Sequence, residues 1–130
     1  AEPPLARVCA WSKDGGLTFG KAFADSVLIE PVCQAAVLRL PGEGDRVIFS
    51  NPASGRREKM TVRLSIDGCK TWVASRVLNE GHSAYSDLAA TQDGSIWCFY
   101  ERGEQNPYQR LTLAQFNLEW IRAAGSADSD

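Results

Sequence analysis

The chain is poor in the residues that build metal and redox sites. It has one histidine, His82, one methionine, Met60, and no Cys-x-x-C pair among its four cysteines. A zinc site draws three or four ligands from closely spaced Cys and His, so this inventory argues against one. Neither sign of charge dominates: 14 Lys and Arg stand against 16 Asp and Glu, for a net charge of −2 and a pI near 5.4. That balance argues against a nucleic-acid partner, which calls for a basic face. No apolar run approaches the roughly 18 residues of a membrane span. The opening AEPPLARVCAW lacks the basic start and long apolar stretch of a signal peptide. What remains is an ordinary globular composition, 44% hydrophobic and 23% charged, in 130 residues, a length that suits one compact domain.

Cys9, Cys33, Cys69 and Cys98 are widely spaced. They allow two disulfides in any of the three connectivities open to four cysteines. Buried free thiols are the alternative, because Cys9, Cys33 and Cys98 lie in apolar runs. Either way the expected role is structural.

Helical signals are scarce too. Short runs rich in β-branched and aromatic residues dominate: RVCAW, CQAAVLRL, DRVIFS, MTVRLS, TWVASRVL, AYSDLAAT, SIWCFYE and LTLAQFNLEWI. Turn-forming clusters such as DGG, PGEGD, NPASG, DGC, QDGS and RGEQNP separate them, the pattern of an all-β chain. MTVRLS alternates Met60, Val62 and Leu64 with Thr61, Arg63 and Ser65, which predicts a half-buried strand. LTLAQFNLEWI alternates more loosely, and a helix competes with a strand there. The small polar tail at 123–130 is expected to be disordered.

One phrase occurs twice. SKDGGLTF at 12–19 and SIDGCKTW at 65–72 share Ser, Asp, Gly, Thr and a closing aromatic, in register, 53 residues apart. Asp accepts bonds from backbone N–H groups that follow it, Gly takes positive φ, and the Ser and Thr hydroxyls close the same turn. The phrase is thus a hairpin device, predicting turns at Asp14–Gly16 and Asp67–Cys69, with Trp72 as an apolar plug beneath the second. A strand-rich unit recurring at this period points to propeller blades of four strands each.

The two phrases resemble the Asp box, S-x-D-x-G-x-T-W, of the sialidase (neuraminidase) family. Cys69 departs from it, standing where the box has Gly. Three further stretches carry the resemblance in the family's order: EPVCQAAVLRLP, VIFSNPASGRREKMTVRLS and GHSAYSDLAATQDGSIWCFYERG, with FNLEW near the family's usual C-terminal end. The family fold is a six-bladed β-propeller. The resemblance spans residues up to about 122 and implies about two and a half C-terminal blades: the first box ends one, residues 28–78 form the next, and 82–122 most of the last. It further implies a sialylated glycoconjugate as substrate, no cofactor, the remaining blades as partner, and a secreted, periplasmic or lysosomal location.

It also assigns residues. Tyr85 matches the Tyr of the family's YS-x-L motif, the nucleophile. A neutral phenol can approach an anomeric carbon that carries a carboxylate, where an anion would be repelled. With a free pKa of about 10 it needs a partner base, a Glu from an earlier blade. Arg57 matches the Arg of R-x-x-M-T, one of three that clamp the substrate carboxylate; Met60, three residues on, selects it over Arg56. A planar, always charged guanidinium suits that role. Gln34 stands where the family can contact the glycerol tail of sialic acid. Glu101, in YERG, matches a common family Glu and is expected to be structural, for example by holding an active-site arginine. Glu30, at the start of the EPVCQ strand, is not the Tyr partner. Arg7 is expected to be structural. Asp87 shares the strand face of Tyr85 and His82 does not; both are expected to be structural.

The family's acid/base Asp, catalytic Glu and other two clamp arginines have no match here, so the chain alone is expected to be inactive. The alternative reading is a sialidase-like propeller module that binds glycan or protein without catalysis.

Overall fold

The computed structural model describes residues 5–126. It contains eight strands and one helix: β1 (Leu5–Cys9), β2 (Phe23–Glu30), β3 (Ala36–Arg39), β4 (Val47–Pro52), β5 (Glu58–Ser65), β6 (Ala74–Ala90), β7 (Ile96–Gly103), β8 (Arg110–Phe116) and α1 (Leu118–Ser126). β1 and β2 form a two-stranded sheet, and β3 to β8 form a six-stranded antiparallel meander in chain order. This is the order of consecutive blades. β1 and β2 belong to one blade, β3 to β5 with the start of β6 form the next, and the end of β6 with β7 and β8 form most of a third.

β6 joins the last two. Its first half pairs with β5, from Ala74 opposite Leu64 to Asn79 opposite Met60. Its second half pairs with β7, from Ser86 opposite Tyr100 to Ala90 opposite Ile96. The sequence predicts two runs here, TWVASRVL and AYSDLAAT. They fuse because NEGHS between them lacks the Asp-Gly chemistry of a closed turn and stays extended.

The core lies where these two groups of strands meet. Ile48, Met60, Val62, Leu64, Cys98 and Ile121 are fully buried there. Burying such a side chain is worth about 1.5–3 kcal/mol. β5 is not the half-buried strand that its alternation suggests, since Thr61 and Ser65 on its other face are buried as well. Thr61 bonds back to the Lys59 carbonyl (2.8 Å), and Ser65 turns inward to build the second Asp box. β2 departs from expectation too. Glu30 ends it rather than opening the next strand, so that blade begins at Ala36 and not at 28. Pro31 cannot donate to a ladder, and Val32 takes φ +55°, which breaks the extension.

LTLAQFNLEWI divides into both of its competing forms. β8 stops at Phe116, and Asn117 caps α1 by accepting the Trp120 amide at 2.9 Å. The helix buries Ile121 and sets Trp120 between Phe116 and Arg76, whose guanidinium lies 4.0 Å from the indole centroid. The expected disordered tail is therefore helical over 123–126, and 127–130 lie outside the described residues.

The four cysteines are free. Burial raises the pKa of each, that of Cys98 to about 12, so none is poised as a thiolate ligand or nucleophile. Among the described residues no cluster of His, Cys, Asp or Glu could hold a metal ion. No helix among them is long and apolar enough to cross a membrane.

The two Asp boxes are superimposable in their bonding. Ser12 donates to Asp14 (2.8 Å) and accepts the Gly16 amide (2.8 Å), while Thr18 donates both its amide and its hydroxyl to Asp14. Ser65 donates to Asp67 (2.9 Å) and accepts the Cys69 amide (2.9 Å), while Thr71 binds Asp67 in the same two ways. Cys69 takes φ +69°, so the left-handed position is kept although the glycine is not. Trp72 is half-buried rather than a full plug. It packs on Phe49 with ring centroids 5.8 Å apart and donates its indole N–H to Asp25 (3.0 Å), tying the second box to β2.

Two outcomes follow from these turns. A left-handed residue with a Cβ costs about 1–2 kcal/mol, more for a β-branched one. Cys69→Val should lower the urea midpoint, while Cys69→Asn, which tolerates this conformation, should leave it close to wild type. The boxes also set an acid limit. Asp14 and Asp67 are held at pKa values of about 2 against an ordinary 3.8, in each case first by the Thr hydroxyl. Between those values the unfolded chain binds more protons than the folded one. The stabilisation is therefore complete above about pH 4 and is lost as pH falls toward 2. Melts of the Asp14→Asn, Asp67→Asn double variant should show a flatter pH dependence than wild type in that interval.

Candidate functional site

The site is assembled at the bend of β6. The loop between β4 and β5 carries Arg56 and Arg57 and is fixed by its own backbone: Ala53 donates to Lys59 (3.0 Å) and Glu58 to Arg56 (2.8 Å). The Arg57 carbonyl then accepts the Ser83 amide of β6 at 2.9 Å, two residues before Tyr85. That bond brings the two residues together. The Arg57 guanidinium carbon lies 5.7 Å from the centroid of the Tyr85 ring, a cation–π arrangement. Arg56 stays exposed in the turn.

Tyr85 is half exposed, at 50%, although it sits in a strand between buried Ala84 and Ser86. About half of its surface is thus open to solvent, beside the Arg57 guanidinium. Its strand is pinned on both sides. The Tyr85 amide donates to Glu101 on β7 (3.0 Å). The side chain of Gln34 bonds the next residue twice, donating to the Ser86 carbonyl (2.9 Å) and accepting the Ser86 amide (3.0 Å). The Ser86 hydroxyl lies 2.8 Å from that of buried Ser50. A shallow hollow of about 440 Å³ opens beside the phenol, with Gln34, Asp87, Phe99, Glu101 and Leu111 among its walls.

The expected residues therefore fall into two groups. Tyr85, Arg57, Gln34, Glu101 and Asp87 converge, and Asp87 is exposed on the face of Tyr85 as the strand alternation requires. Glu101 makes a structural contact, through the main chain. It holds the backbone of Tyr85, and it forms no ion pair with an arginine among the described residues. Glu30 and Arg7 belong elsewhere. They pair at 3.1 Å, and Arg7 also donates to the Cys33 carbonyl (2.8 Å), so both are structural. His82 is exposed one residue before the Ser83 amide that binds Arg57.

Sequence reasoning missed two partners of Arg57. One arm of its guanidinium donates to the Tyr108 hydroxyl (2.7 Å), the other to the Val32 carbonyl (3.3 Å). Nothing in the spacing links residues 32, 57 and 108. The one local signal is Asn106–Pro107, which marks a turn that could present Tyr108. The neighbouring Cys33 sulfur and then the Tyr108 bond raise the Arg57 pKa further, so the guanidinium stays charged.

The arrangement offers a solvent-facing phenol, a fixed cation against its ring and an open hollow beside it. The family model of the BNR repeat-like domain matches residues 4–98. A sialidase of Micromonospora viridifaciens is 36% identical over 123 residues, covering 88% of this chain and 18% of that protein. Human sialidase-4 is 33% identical over 84 residues, covering 58% of this chain and 17% of its own. Among solved structures, the Hadza microbial sialidase Hz136 superposes with a TM-score of 0.77 at 30% identity, over 91% of this chain and 24% of that one. A leech intramolecular trans-sialidase complexed with 2,7-anhydro-Neu5Ac gives a TM-score of 0.77 at 16% identity, over 93% and 21%, a likeness of fold. The chain spans about a fifth of the length of the curated relatives it matches. With matching Asp boxes, consecutive propeller blades and these relatives, the chain belongs to the sialidase family built on BNR repeats.

Proposed function

We propose that this chain is the part of an exo-α-sialidase that supplies the nucleophile and one arm of the carboxylate clamp. The observation that carries the proposal is the Arg57 guanidinium held 5.7 Å over the ring of an exposed Tyr85. In this reading the substrate carboxylate binds Arg57. The Tyr85 oxygen, deprotonated by a Glu from another blade, attacks the anomeric carbon of a terminal sialic acid. The aglycone oxygen leaves with a proton from an acid/base Asp. Water then attacks the same carbon, displacing Tyr85, and two inversions give net retention. Gln34, fixed by Ser86, is proposed to meet the glycerol tail. The chemistry calls for no metal or organic cofactor.

The acid/base Asp, the catalytic Glu and the other arginines are proposed to come from the remaining blades. A fluorogenic sialoside should therefore be untouched by the 130-residue chain and hydrolysed once those blades are supplied. In the completed protein Tyr85→Phe should lower kcat by at least roughly 100-fold. Arg57→Lys should raise KM roughly 10- to 100-fold, the loss of a bond to a charged group worth about 1.5–3 kcal/mol. Turnover that survives Tyr85→Phe would reject Tyr85 as nucleophile. Sialoside binding without any turnover in the completed protein would favour a non-catalytic glycan-binding module.

The exposed apolar residues support the same partner. Leu5, Val8, Phe23 and Val27 are exposed on β1 and β2, and Phe99, Leu111 and Leu113 on β7 and β8. They occupy the first and last strands, where a closed propeller brings blades together. Faces of this kind recruit other chains. In sedimentation the isolated chain should self-associate, and the remaining blades should suppress this. A cooperatively folding monomer at every concentration would count against the open-propeller reading.

A further inference from the structure

Arg57 is held more elaborately than a surface arginine requires. A free guanidinium on an exposed loop samples many rotamers, and fixing it costs entropy. Here its arms are bound by two groups from opposite ends of the chain, the Tyr108 hydroxyl and the Val32 carbonyl. Both holders are themselves fixed. Val32 takes φ +55°, a sparsely populated conformation for a β-branched residue, and it is the Val32 carbonyl that meets Arg57. Strain of this kind persists only where the surroundings over-determine it, and such sites cluster at function.

Tyr108 lies in the loop between β7 and β8, which is locked from within. The Gln109 side-chain oxygen accepts the amides of Glu104 and Gln105, each at 2.8 Å, and the Asn106 side-chain oxygen accepts the Tyr108 amide at 2.9 Å. Arg110 and Glu104 pair across the loop at 3.1 Å. The loop folds so closely over Gly103 that a Cβ there would overlap the Asn106 carbonyl and the Gln109 amide oxygen. A loop built this way presents one side chain at one place.

We infer that Tyr108 is a positioning residue for Arg57, fixing its guanidinium over Tyr85 so that the donors not used by Tyr108 and Val32 remain aligned for a substrate carboxylate. The inference rests on the sialidase reading for the identity of that carboxylate, and on geometry alone for the hold itself. Preorganising the cation removes an ordering cost from binding, so its loss falls on substrate affinity rather than on the bond-making step.

The hold can be read by nitrogen-detected NMR of the Arg57 guanidinium in the protein completed with its remaining blades. Tyr108→Phe keeps the ring and removes the hydroxyl. Rotation about the Arg57 Nε–Cζ bond should speed up at least roughly tenfold, the scale of one lost bond to a charged group, with the melting curve unchanged. Gly103→Ala, which displaces the loop, should do the same by a second route and serves if Tyr108→Phe fails to fold. Unchanged rotation in a folded variant overturns the inference. In the completed protein Tyr108→Phe should raise KM for a sialoside severalfold and leave kcat near wild type. A loosened Arg57 with KM unmoved overturns the role toward substrate. A loosened Arg57 in a completed protein that turns over no sialoside leaves the hold standing and removes the sialidase reading instead.

Discussion

One backbone hydrogen bond, from the Ser83 amide to the Arg57 carbonyl, sets the geometry on which the site depends. It joins the loop between β4 and β5 to the bend of β6, where that strand leaves one blade and enters the next. Tyr85 follows two residues later, so the phenol and guanidinium are placed by main chain before any side chain is considered. Side-chain bonds then refine the placement. Glu101 and Gln34 hold the strand around Tyr85, and Tyr108 and Val32 hold the guanidinium. Strands and loops held this way are stiffer than free loops.

The Asp boxes serve a different end of the structure. Each closes a strand connection with one Asp, one Ser and one Thr, all bonded within eight residues. The second box is also tied to the loop before β4, where the Asp45 carbonyl accepts the Gly68 amide at 3.1 Å. The tie from Trp72 to Asp25 then spans two blades. Buried Asn51 does the same, donating to the Ile29 carbonyl of β2 at 2.8 Å. The chemistry sits elsewhere: the residues of the candidate site come from loops and strands outside both boxes.

Much of this was legible from residues alone. The repeated phrase told of two equivalent turns, and alternation in Met60, Val62 and Leu64 told which face of β5 enters the core. The family motifs pointed to Tyr85 and Arg57, and the structure brings them together. What was not legible depends on long-range pairing. β2 was hidden because FADSVLIE carries Asp and Ser at positions where the fold uses them, Asp25 as the acceptor for Trp72. The continuity of β6 was hidden because NEGHS looks like a loop until β5 and β7 claim its two flanks. Glu101 was read as structural, but its acceptor role toward the Tyr85 amide depends on the pairing of β6 with β7 and could not be read from its position. Tyr108 and Val32 left no trace in spacing, since a contact across 51 or 25 residues follows only from the closed fold.

The central claim is that the Tyr85 oxygen forms the bond to the sugar. The direct test is to expose the protein completed with its remaining blades to a sialosyl donor whose second step is slow, and to map the labelled peptide by mass spectrometry. The account predicts one sialosyl group on the peptide that contains Tyr85, absent in Tyr85→Phe. A completed protein that turns the donor over while its Tyr85 peptide stays unmodified, or carries the label on another residue, would contradict it.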